Sequence, residues 1–599
     1  MASLSQTVKP GDVGLKREIG LIGAMWSSET SIIGSGWLLA SFGAAKAVGG
    51  AAIIAWGLGA IAAIILALVH AELGGMYPVA GGTARFPHLA YGTGAGISFG
   101  FFSWLQAVTV PPIEAFAVIH YAGYYWSAIY DPNANGGNGN VTHWGFALEL
   151  VLMALFTAVN FLPMRIYGPF YSLVTWWKVI IPVVTIILMF TKFHSGNLTA
   201  GGGFFPTGTS WKVLFGALPG AGIVFSYLGF EQADQLAGEI KNPQRNLPLA
   251  IIGSIIIGAV IYILLQVVFI GATPAGLLTH GFAGIPASSS IALAPFAALA
   301  SLTGYSVWSG FLRVDAFISP FGTGAIYNTS TSRVSYGLAR NRYFPQVFAA
   351  VNRNGIPWFG MITAFVFGVV FTFPFPSWES LVSLVTSASV LMYAGAPLAM
   401  GALRRQLPAA ERPFSLPGWQ VISPVAFIVA SLIIYWSGFE TLWKLGIAII
   451  LGYIAIGMYI SDREGLAPIN WLKSSWLGVY LLGMGLISWV GQYGPYNTGR
   501  LEYPYDILTV ALFSLAIYYW AVLWGAQTAE EIEERIIEQA VVMGAEQGAV
   551  DTGYGTVTVA STDAAAVADP GTDPGTQPTT TVAVADPGAD PGTEPTSTV

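Results

Sequence analysis

The sequence has no cysteine and few charged residues. Of its 599 residues only 9% are charged, whereas soluble domains carry about 25%. The absence of cysteine excludes disulfides and thiolate-bound metal or iron–sulfur centres. The six histidines are scattered, and the chain has neither a metal-binding spacing, a nucleophile elbow nor a phosphate-binding loop. We therefore expect no bound metal, no cofactor and no enzymatic activity.

Long hydrophobic runs, by contrast, are abundant. Hydrophobic residues make up 54% of the chain, and the mean hydropathy is +0.63. A helix of about 20 apolar residues crosses the hydrocarbon core of a bilayer, so the sequence predicts an all-α polytopic membrane protein in the lipid bilayer. We predict about fourteen spanning helices, at residues 20–45, 49–75, 92–128, 143–163, 166–191, 211–239, 247–272, 304–338, 356–374, 378–402, 421–439, 442–460, 475–491 and 505–525.

Basic residues are distributed unevenly between the predicted loops. With a cytoplasmic N-terminus, seventeen lysines and arginines fall on the cytoplasmic side and five on the outer side, which is the positive-inside bias. This pattern predicts a multi-pass plasma membrane protein with both termini in the cytoplasm. It gives no indication of a nucleic-acid partner.

The net charge of −7 comes from the C-terminal segment. From Gln527 onward the chain has 13 acidic residues and one basic residue. Residues 526–549 are predicted to form an acidic cytoplasmic helix. Residues 550–599 are rich in Ala, Thr, Asp, Pro and Gly, a composition that cannot bury enough apolar surface to order itself, so we predict a disordered tail.

The first hydrophobic run is interrupted by Gly34-Ser35-Gly36. Each glycine costs a helix about 1 kcal/mol relative to alanine. A break here would free backbone N–H groups at mid-membrane, which is tolerated only if a polar group fills it. The N-terminal end of a half-helix suits a carboxylate. The alternative interpretation is a face of small residues for close helix packing.

A second interruption is predicted in the sixth run. Gly229-Phe230-Glu231 and Asp234 lie where hydrocarbon-facing residues are expected, and an ionisable side chain at this depth requires a cavity or a partner. Broken helices at matching places in two halves of a chain indicate a transporter site at a repeat interface.

The motifs around these two breaks resemble those of the amino acid–polyamine–organocation permeases. The most specific of them is Gly229-Phe230-Glu231 followed by Lys241-Asn242-Pro243-Gln244-Arg245 and Pro248. The motifs spread over residues 17–350. They also include Gly34-Ser35-Gly36, Ala71-Glu72-Leu73-Gly74, Gly81-Gly82, Ser332-Arg333 and Tyr336-Gly337-Leu338-Ala339.

The resemblance implies a 5+5 inverted-repeat (LeuT-like) core of twelve helices that works by alternating access. The hydropathy pattern predicts a cytoplasmic segment at 1–18 before this core and two additional helices at 474–525 after it, and the resemblance does not extend to those two helices. The core would occupy residues 19–461, with a first repeat at 19–192, a second repeat at 211–402 and helices eleven and twelve at 421–461.

The resemblance also implies a substrate site at the two breaks. The substrate carboxylate would meet the backbone N–H groups of Gly34, Ser35 and Gly36, with Ser31 nearby. The substrate amine would meet the backbone carbonyls of the sixth-helix break. Residues implied on that side are Phe225, which is also an aromatic gate, Ser226 and Leu228, and Tyr327 of the eighth helix is expected to contribute an aromatic ring.

Lys178, inside the fifth run, resembles a lysine that stands in for sodium in proton-coupled relatives. A buried lysine gives up its proton more readily than an exposed one. Thr323 would be its neighbour on the eighth helix, and Glu231 resembles a proton-sensitive gate. A structural pairing of Lys178 with a carboxylate, and a helix-linking role for Glu231, are the alternatives. Glu29 is outside the family motif and could favour a basic substrate, carry a proton or pair with another helix.

Together these observations predict a secondary active transporter for amino acids, driven by proton symport. An exchanger of an amino acid for its metabolite or for an amine, or a polyamine carrier, is the alternative on the same fold. A channel or nutrient receptor is disfavoured because a channel would place polar residues along several helices, whereas here they cluster at two breaks.

Deletion of residues 550–599 is expected to leave transport intact, because a solvated tail contributes nothing to a membrane-embedded site. Uptake by the truncated protein, compared with the full chain at equal expression, tests this expectation. Loss of uptake in a well-expressed truncation would show that the tail has a role in transport.

Overall fold

The computed structural model describes residues 17, 19–78, 82–134, 137, 139–162, 164–352, 355–460, 469–495, 500–544, 549–551, 556–560 and 581–584. Helices make up 77% of the structure and strands 2%, so the protein is a polytopic helical membrane protein, as predicted. Apart from Arg17, the predicted N-terminal segment 1–18 lies outside the described residues.

The first part of the chain contains seven helices and one short hairpin. Strands β1 (Tyr130–Asp131) and β2 (Asn140–Val141) are antiparallel, with Tyr130 opposite Val141. The helices are α1 (Leu21–Ile32), α2 (Ser35–Val48), α3 (Ala52–Met76), α4 (Gly82–Tyr91), α5 (Thr93–Gly123), α6 (His143–Ala158) and α7 (Met164–Phe190).

The second part begins with a helix that is broken into short pieces and continues to residue 406. Its helices are α8 (Trp211–Gly220), α9 (Ile223–Ser226), α10 (Gln232–Gln235), α11 (Pro243–Ala272), α12 (Ser290–Leu293), α13 (Pro295–Leu302), α14 (Ser306–Arg340), α15 (Trp358–Thr372), α16 (Trp378–Tyr393) and α17 (Gly395–Gln406).

The C-terminal part has five helices and three short strands. The strands form an antiparallel sheet in the order β3-β4-β5. All of it lies in the segment predicted to be disordered except Ala549, which falls at the end of the predicted acidic helix 526–549. The rest of residues 550–599 lies outside the described residues, so disorder there stays a prediction. The elements are α18 (Trp419–Trp436), α19 (Phe439–Ile460), α20 (Trp471–Val490), α21 (Tyr505–Trp520), α22 (Ala529–Gly544), β3 (Ala549–Asp551), β4 (Thr556–Ala560) and β5 (Thr581–Val584).

Nine helical segments within the described ranges are long and apolar enough to cross a membrane. Helices also occupy the remaining predicted runs, but that all fourteen cross the bilayer stays a prediction. The nine are Ser35–Met76, Thr93–Gly123, His143–Phe161, Tyr171–Phe190, Pro243–Ala272, Trp378–Gln406, Trp419–Trp436, Phe439–Tyr459 and Tyr505–Gly525.

Helix α14 shows why apolarity alone does not identify every long helix. Its 35 residues exceed the length needed to span a bilayer, yet it is not among the nine apolar segments. It packs against α5 and α7 and buries polar side chains such as Thr323, Ser330 and Thr331. A helix surrounded by protein can carry such residues, whereas a helix facing lipid cannot.

The Lys-Asn-Pro motif explains the abrupt start of α11. Asn242 is left-handed, with φ 45° and ψ 56°, and Pro243 occupies the first helical turn. Asparagine is one of the few residues that adopt this conformation readily, and proline fits a helix start because its missing N–H is not needed there. The chain can therefore turn sharply out of the sixth segment and into α11.

A buried ion pair fixes α3 against α17 at the end of the molecule that is predicted to be cytoplasmic. The Glu72 carboxylate accepts hydrogen bonds from Nε and Nη2 of Arg404, both at 2.7 Å, and from the Leu416 N–H at 2.7 Å. Removal of one partner of a buried pair leaves an uncompensated charge, which is strongly destabilising. The Ala-Glu-Leu-Gly motif thus has a structural role here.

Candidate substrate-binding site

The first transmembrane segment is broken between α1 and α2, as the sequence predicts. The N–H of Ile33 still bonds the Glu29 carbonyl at 2.9 Å, but Gly34 has φ −115° and ψ −138°, which is outside the helical region. Helix α2 starts afresh at Ser35. The backbone groups on both sides of Gly34 therefore need partners from elsewhere in the protein.

Side chains from three other helices satisfy the carbonyl groups that end α1. The Thr30 carbonyl accepts from Lys178 Nζ at 2.5 Å and from Thr323 Oγ1 at 2.9 Å. The Ile32 carbonyl accepts from the Tyr262 hydroxyl at 2.7 Å. These donors lie on α7, α14 and α11 respectively, so the break holds four helices together.

The donors that begin α2 are not all free, in contrast to the prediction. The Ser35 N–H donates to Glu114 Oε2 at 2.9 Å, its hydroxyl donates to Oε1 at 3.0 Å, and the Gly34 N–H bonds the Ile32 carbonyl at 3.1 Å. A helix N-terminus attracts anions through its dipole and its free N–H groups. The chain itself places a carboxyl group, that of Glu114 on α5, at this helix end.

The second break separates α9 from α10, across residues 227–231. Gly229 has φ 123°, and a Cβ there would lie 2.8 Å from the Ile32 nitrogen, so only glycine fits this close approach to the first break. The carbonyls of Ser226 and Leu228 accept no hydrogen bond from the described residues. The second break thus presents free acceptors to the first.

Gly36 lets the two broken segments come into contact. A Cβ at Gly36 would lie 3.1 Å from the Ser226 Cα and would overlap the Ser226 hydroxyl. Ser226 is held in place by a hydrogen bond from its hydroxyl to the Gly222 carbonyl at 2.8 Å. The first and second breaks therefore lie side by side.

A small enclosed cavity lies between the breaks. Its volume is about 10 Å³, room for about one water molecule. It brings together six of the predicted site residues: Ser31, Gly34, Phe225, Leu228, Thr323 and Tyr327. Its other lining residues are Ile32, Val110 and Glu114.

Lys178 is fully buried behind the first break rather than in the cavity wall. Besides the Thr30 carbonyl, its ammonium bonds Thr323 Oγ1 at 2.7 Å. The predicted proximity of Lys178, Thr323 and the first-break backbone is therefore present in the structure. A charge at this position acts directly on the end of α1.

Glu231 connects the second break to two other helices. One oxygen of its carboxylate accepts from the Tyr327 hydroxyl at 3.1 Å, and the other accepts from the Gly229 N–H at 2.9 Å and from the Tyr393 hydroxyl. It does not line the cavity but contacts Tyr327, which does. Its contacts fit the helix-linking alternative, and they leave the predicted gating role compatible with its position.

A wider vestibule of about 850 Å³ lies on the predicted outer side. Trp378, the first residue of α16, forms part of its floor and donates from Nε1 to Ser35 Oγ at 3.1 Å. The ring of Phe225 meets Trp378 edge to face, with centroids 6.1 Å apart. These two aromatic residues separate the vestibule from the small cavity.

The sequence did not predict the roles of two important residues. Glu114 is one of several acids within hydrophobic runs, and nothing in its neighbourhood along the chain indicates that it reaches Ser35 across 79 positions. Trp378 is one of 20 tryptophans, and its place at the start of a run is typical of an interfacial anchor. Only the three-dimensional packing shows their roles.

Comparison with known proteins identifies the family. A sequence model described as amino acid permease matches residues 19–456, which is most of the chain. The chain belongs to the amino acid permease family. The resemblance inferred from the sequence motifs is therefore confirmed.

Individual relatives match most of this permease. The glutamate/serine transporter AimA of Bacillus subtilis is 33% identical over 543 residues, covering 89% of this chain and 99% of the relative. The aspartate-proton symporter of the same organism is 34% identical over 505 residues, covering 83% and 95%. Its gamma-aminobutyric acid permease is 26% identical over 388 residues, covering 60% and 72%. The likeness to AimA extends beyond the part matched by the family model.

Substitution of Gly36 by alanine is expected to reduce transport by about tenfold or more, because the added Cβ displaces Ser226 and shifts one break relative to the other. Gly57→Ala is the matched control, since a Cβ at Gly57 meets nothing within 4 Å. Initial uptake rates of the two purified variants in proteoliposomes provide the measurement. Equal rates would show that the close contact of the breaks is not needed for transport.

Proposed function

We propose that this permease carries an amino acid across the plasma membrane by alternating access, coupled to proton symport. The observation that carries the proposal is the juxtaposition of two broken helices around one enclosed cavity, with a buried lysine bonded to the end of α1. The names of two relatives, a glutamate/serine transporter and an aspartate-proton symporter, support the same function.

The substrate would bind as a zwitterion between the two breaks. Its carboxylate would take the place of Glu114 at the Ser35 N–H and approach Gly36, because both carboxylates suit the same helix N-terminus. Its ammonium would bind the free carbonyls of Ser226 and Leu228. Phe225 and Tyr327 would enclose the side chain from opposite sides of the cavity.

The cavity lining favours a small neutral amino acid. The lining residues include no lysine or arginine, so a second substrate carboxylate would find no opposite charge there. A buried charge without a partner is unfavourable. Among the compounds named for the relatives, serine therefore suits the charge of this lining better than aspartate or glutamate.

The proton would be bound and released at Lys178. Its ammonium occupies the place that a sodium ion would take, next to two acceptors: the Thr30 carbonyl and the Thr323 hydroxyl. Loss of the proton would weaken the bond to Thr30 and loosen the end of α1. In this way the protonation of one side chain determines how firmly the end of α1, which forms part of the substrate site, is held.

The 5+5 repeat is the architecture that we propose for alternating access. The breaks occur in the first segment of each predicted repeat, 19–192 and 211–402, and they face each other across the cavity, as inverted-repeat transporters require. Trp378 and Phe225 would form the outer gate, and Glu231 the inner one. Both termini are proposed to be cytoplasmic, on the positive-inside bias.

The decisive experiment measures uptake of radiolabelled serine, glutamate and aspartate by purified protein in proteoliposomes. We expect serine to accumulate fastest under an inward proton gradient, and a sodium gradient to have no effect. Uptake that requires preloaded amino acid instead of a gradient would identify an exchanger. Uptake of none of the three, in a correctly folded protein, would contradict the proposed substrate class.

Lys178→Ala is expected to remove the dependence of uptake on the proton gradient, because the titrating group next to α1 is lost. Initial rates are measured with and without an acidic outside buffer. The control is Lys192→Ala, which removes an exposed lysine whose ammonium lies 5.6 Å from the Tyr305 ring centre. A Lys178→Ala protein that still responds to the gradient like the wild type would refute coupling through this lysine.

A further inference from the structure

Glu29 is a buried carboxyl group to which the proposed mechanism gives no role. It lies in the last turn of α1, its exposed fraction is 0%, and neither of its carboxylate oxygens has a hydrogen-bond partner among the described residues. It does not line the central cavity, so it does not select a basic substrate. It also forms no hydrogen bond to a neighbouring helix within the described ranges, so a purely structural pairing is not supported and proton binding remains of the three options that the sequence raised.

The charged surroundings of Glu29 centre on Lys178. Lys178 of α7 attracts Glu29 directly and also interacts with Glu114 of α5 and Asp315 of α14. Tyr262 of α11 faces Glu29 as well. Helix α10, which also packs on α1, carries Asp234, but the electrostatic neighbour of that residue is Glu231. Three carboxyl groups thus interact electrostatically with one ammonium.

Two of these three carboxyl groups receive hydrogen bonds that stabilise a negative charge. Glu114 accepts from the N–H and hydroxyl of Ser35. Asp315 accepts from Trp177 Nε1 at 2.8 Å and from the Ser319 hydroxyl at 2.8 Å.

Glu29 accepts none, so its negative charge has only the ammonium of Lys178 to compensate it. A buried charge without hydrogen bonds is unfavourable, and addition of a proton removes it. Glu29 is therefore the member of the cluster best suited to gain and lose a proton.

The backbone links Glu29 to the same turn that Lys178 contacts. The Glu29 carbonyl accepts the last hydrogen bond of α1, from the Ile33 N–H at 2.9 Å, and the adjacent Thr30 carbonyl accepts from Lys178. A change in the charge of Glu29 therefore acts on the Lys178 ammonium, which is bonded to the next residue, and on the start of the break. This position suits a group whose protonation changes the geometry of the substrate site.

We propose that Glu29 and Lys178 bind the coupling proton as a pair. This proposal rests on the proposed proton symport. In the loaded state the pair holds a carboxyl group and an ammonium; in the unloaded state it has one proton fewer. Loading adds one proton to the pair and forms one bond, either O–H on the Glu29 carboxylate or N–H on the Lys178 amine. Unloading breaks that bond, and the proton passes from the outer to the cytoplasmic solution with the substrate. Two interacting sites of this kind titrate as a unit.

The test compares Glu29→Gln with Glu149→Gln in proteoliposomes. Glu149 is the matched control, because it is also a buried glutamate, but it lies on α6, where its neighbour is the Thr372 hydroxyl and not Lys178. Serine accumulation under an inward proton gradient and serine counterflow without a gradient are both measured. We expect Glu29→Gln to reduce accumulation to the level seen without a gradient while counterflow remains measurable. Glu149→Gln is expected to behave as the wild type in both assays.

The other outcomes distinguish failure of proton symport from failure of the role of Glu29. Wild-type protein that does not accumulate serine under the gradient would refute the proposed symport and this inference with it. Wild-type accumulation that persists in Glu29→Gln would refute the role of Glu29 alone, and so would a folded variant that has lost accumulation and counterflow together.

Glu29→Asp provides a second variant if Glu29→Gln does not fold. It is expected to keep proton-driven accumulation but with a shifted dependence on outside pH, since the carboxyl group is retained at a different distance from Lys178. A pH profile identical to that of the wild type would contradict the proposal.

Discussion

A helix that stops in the middle of a membrane has to find hydrogen-bond partners for its backbone inside the protein, and this constraint shapes the centre of the molecule. At the first break, Lys178, Thr323 and Tyr262 supply donors to the end of α1, and Glu114 supplies an acceptor to the start of α2. An unbonded backbone group in hydrocarbon costs several kcal/mol. The break therefore requires polar side chains from four other helices, which in turn explains why α5, α7, α11 and α14 converge there.

The same requirement links structure to function. In the proposed mechanism, two of the side chains that satisfy the break are also displaced or titrated: Glu114 and Lys178. Glu114 takes up a position suited to a substrate carboxylate, and Lys178 takes up a position suited to a cation. In that mechanism, a substrate carboxylate that enters the site exchanges with the side chain of Glu114 at the Ser35 N–H. Such an exchange is one physical route by which binding can alter the end of a helix.

Much of the fold could be predicted from the sequence, for local reasons. The helical runs follow from hydropathy, and the break at Gly34 follows from two glycines around a serine in an apolar run. Helix α4 was not predicted, because Gly82–Tyr91 contains a proline, an arginine and a histidine, a composition typical of a loop between membrane helices. The short strands near the C-terminus were also not predicted, because a segment rich in proline and glycine contains little local signal for pairing.

For the site, the sequence by itself determined which residues are chemically unusual in a membrane: a glycine-rich break, a lysine within a fifth hydrophobic run, and acids such as Glu29, Glu114 and Glu231. These follow from residue type and the depth of a residue along a helix. Only the tertiary structure decided which of them meet. Glu114 reaches Ser35, Trp378 covers the cavity, and Glu29 remains without a hydrogen bond because of how distant helices pack. Packing depends on side-chain contacts between segments far apart in the chain, and no local pattern in the sequence encodes them.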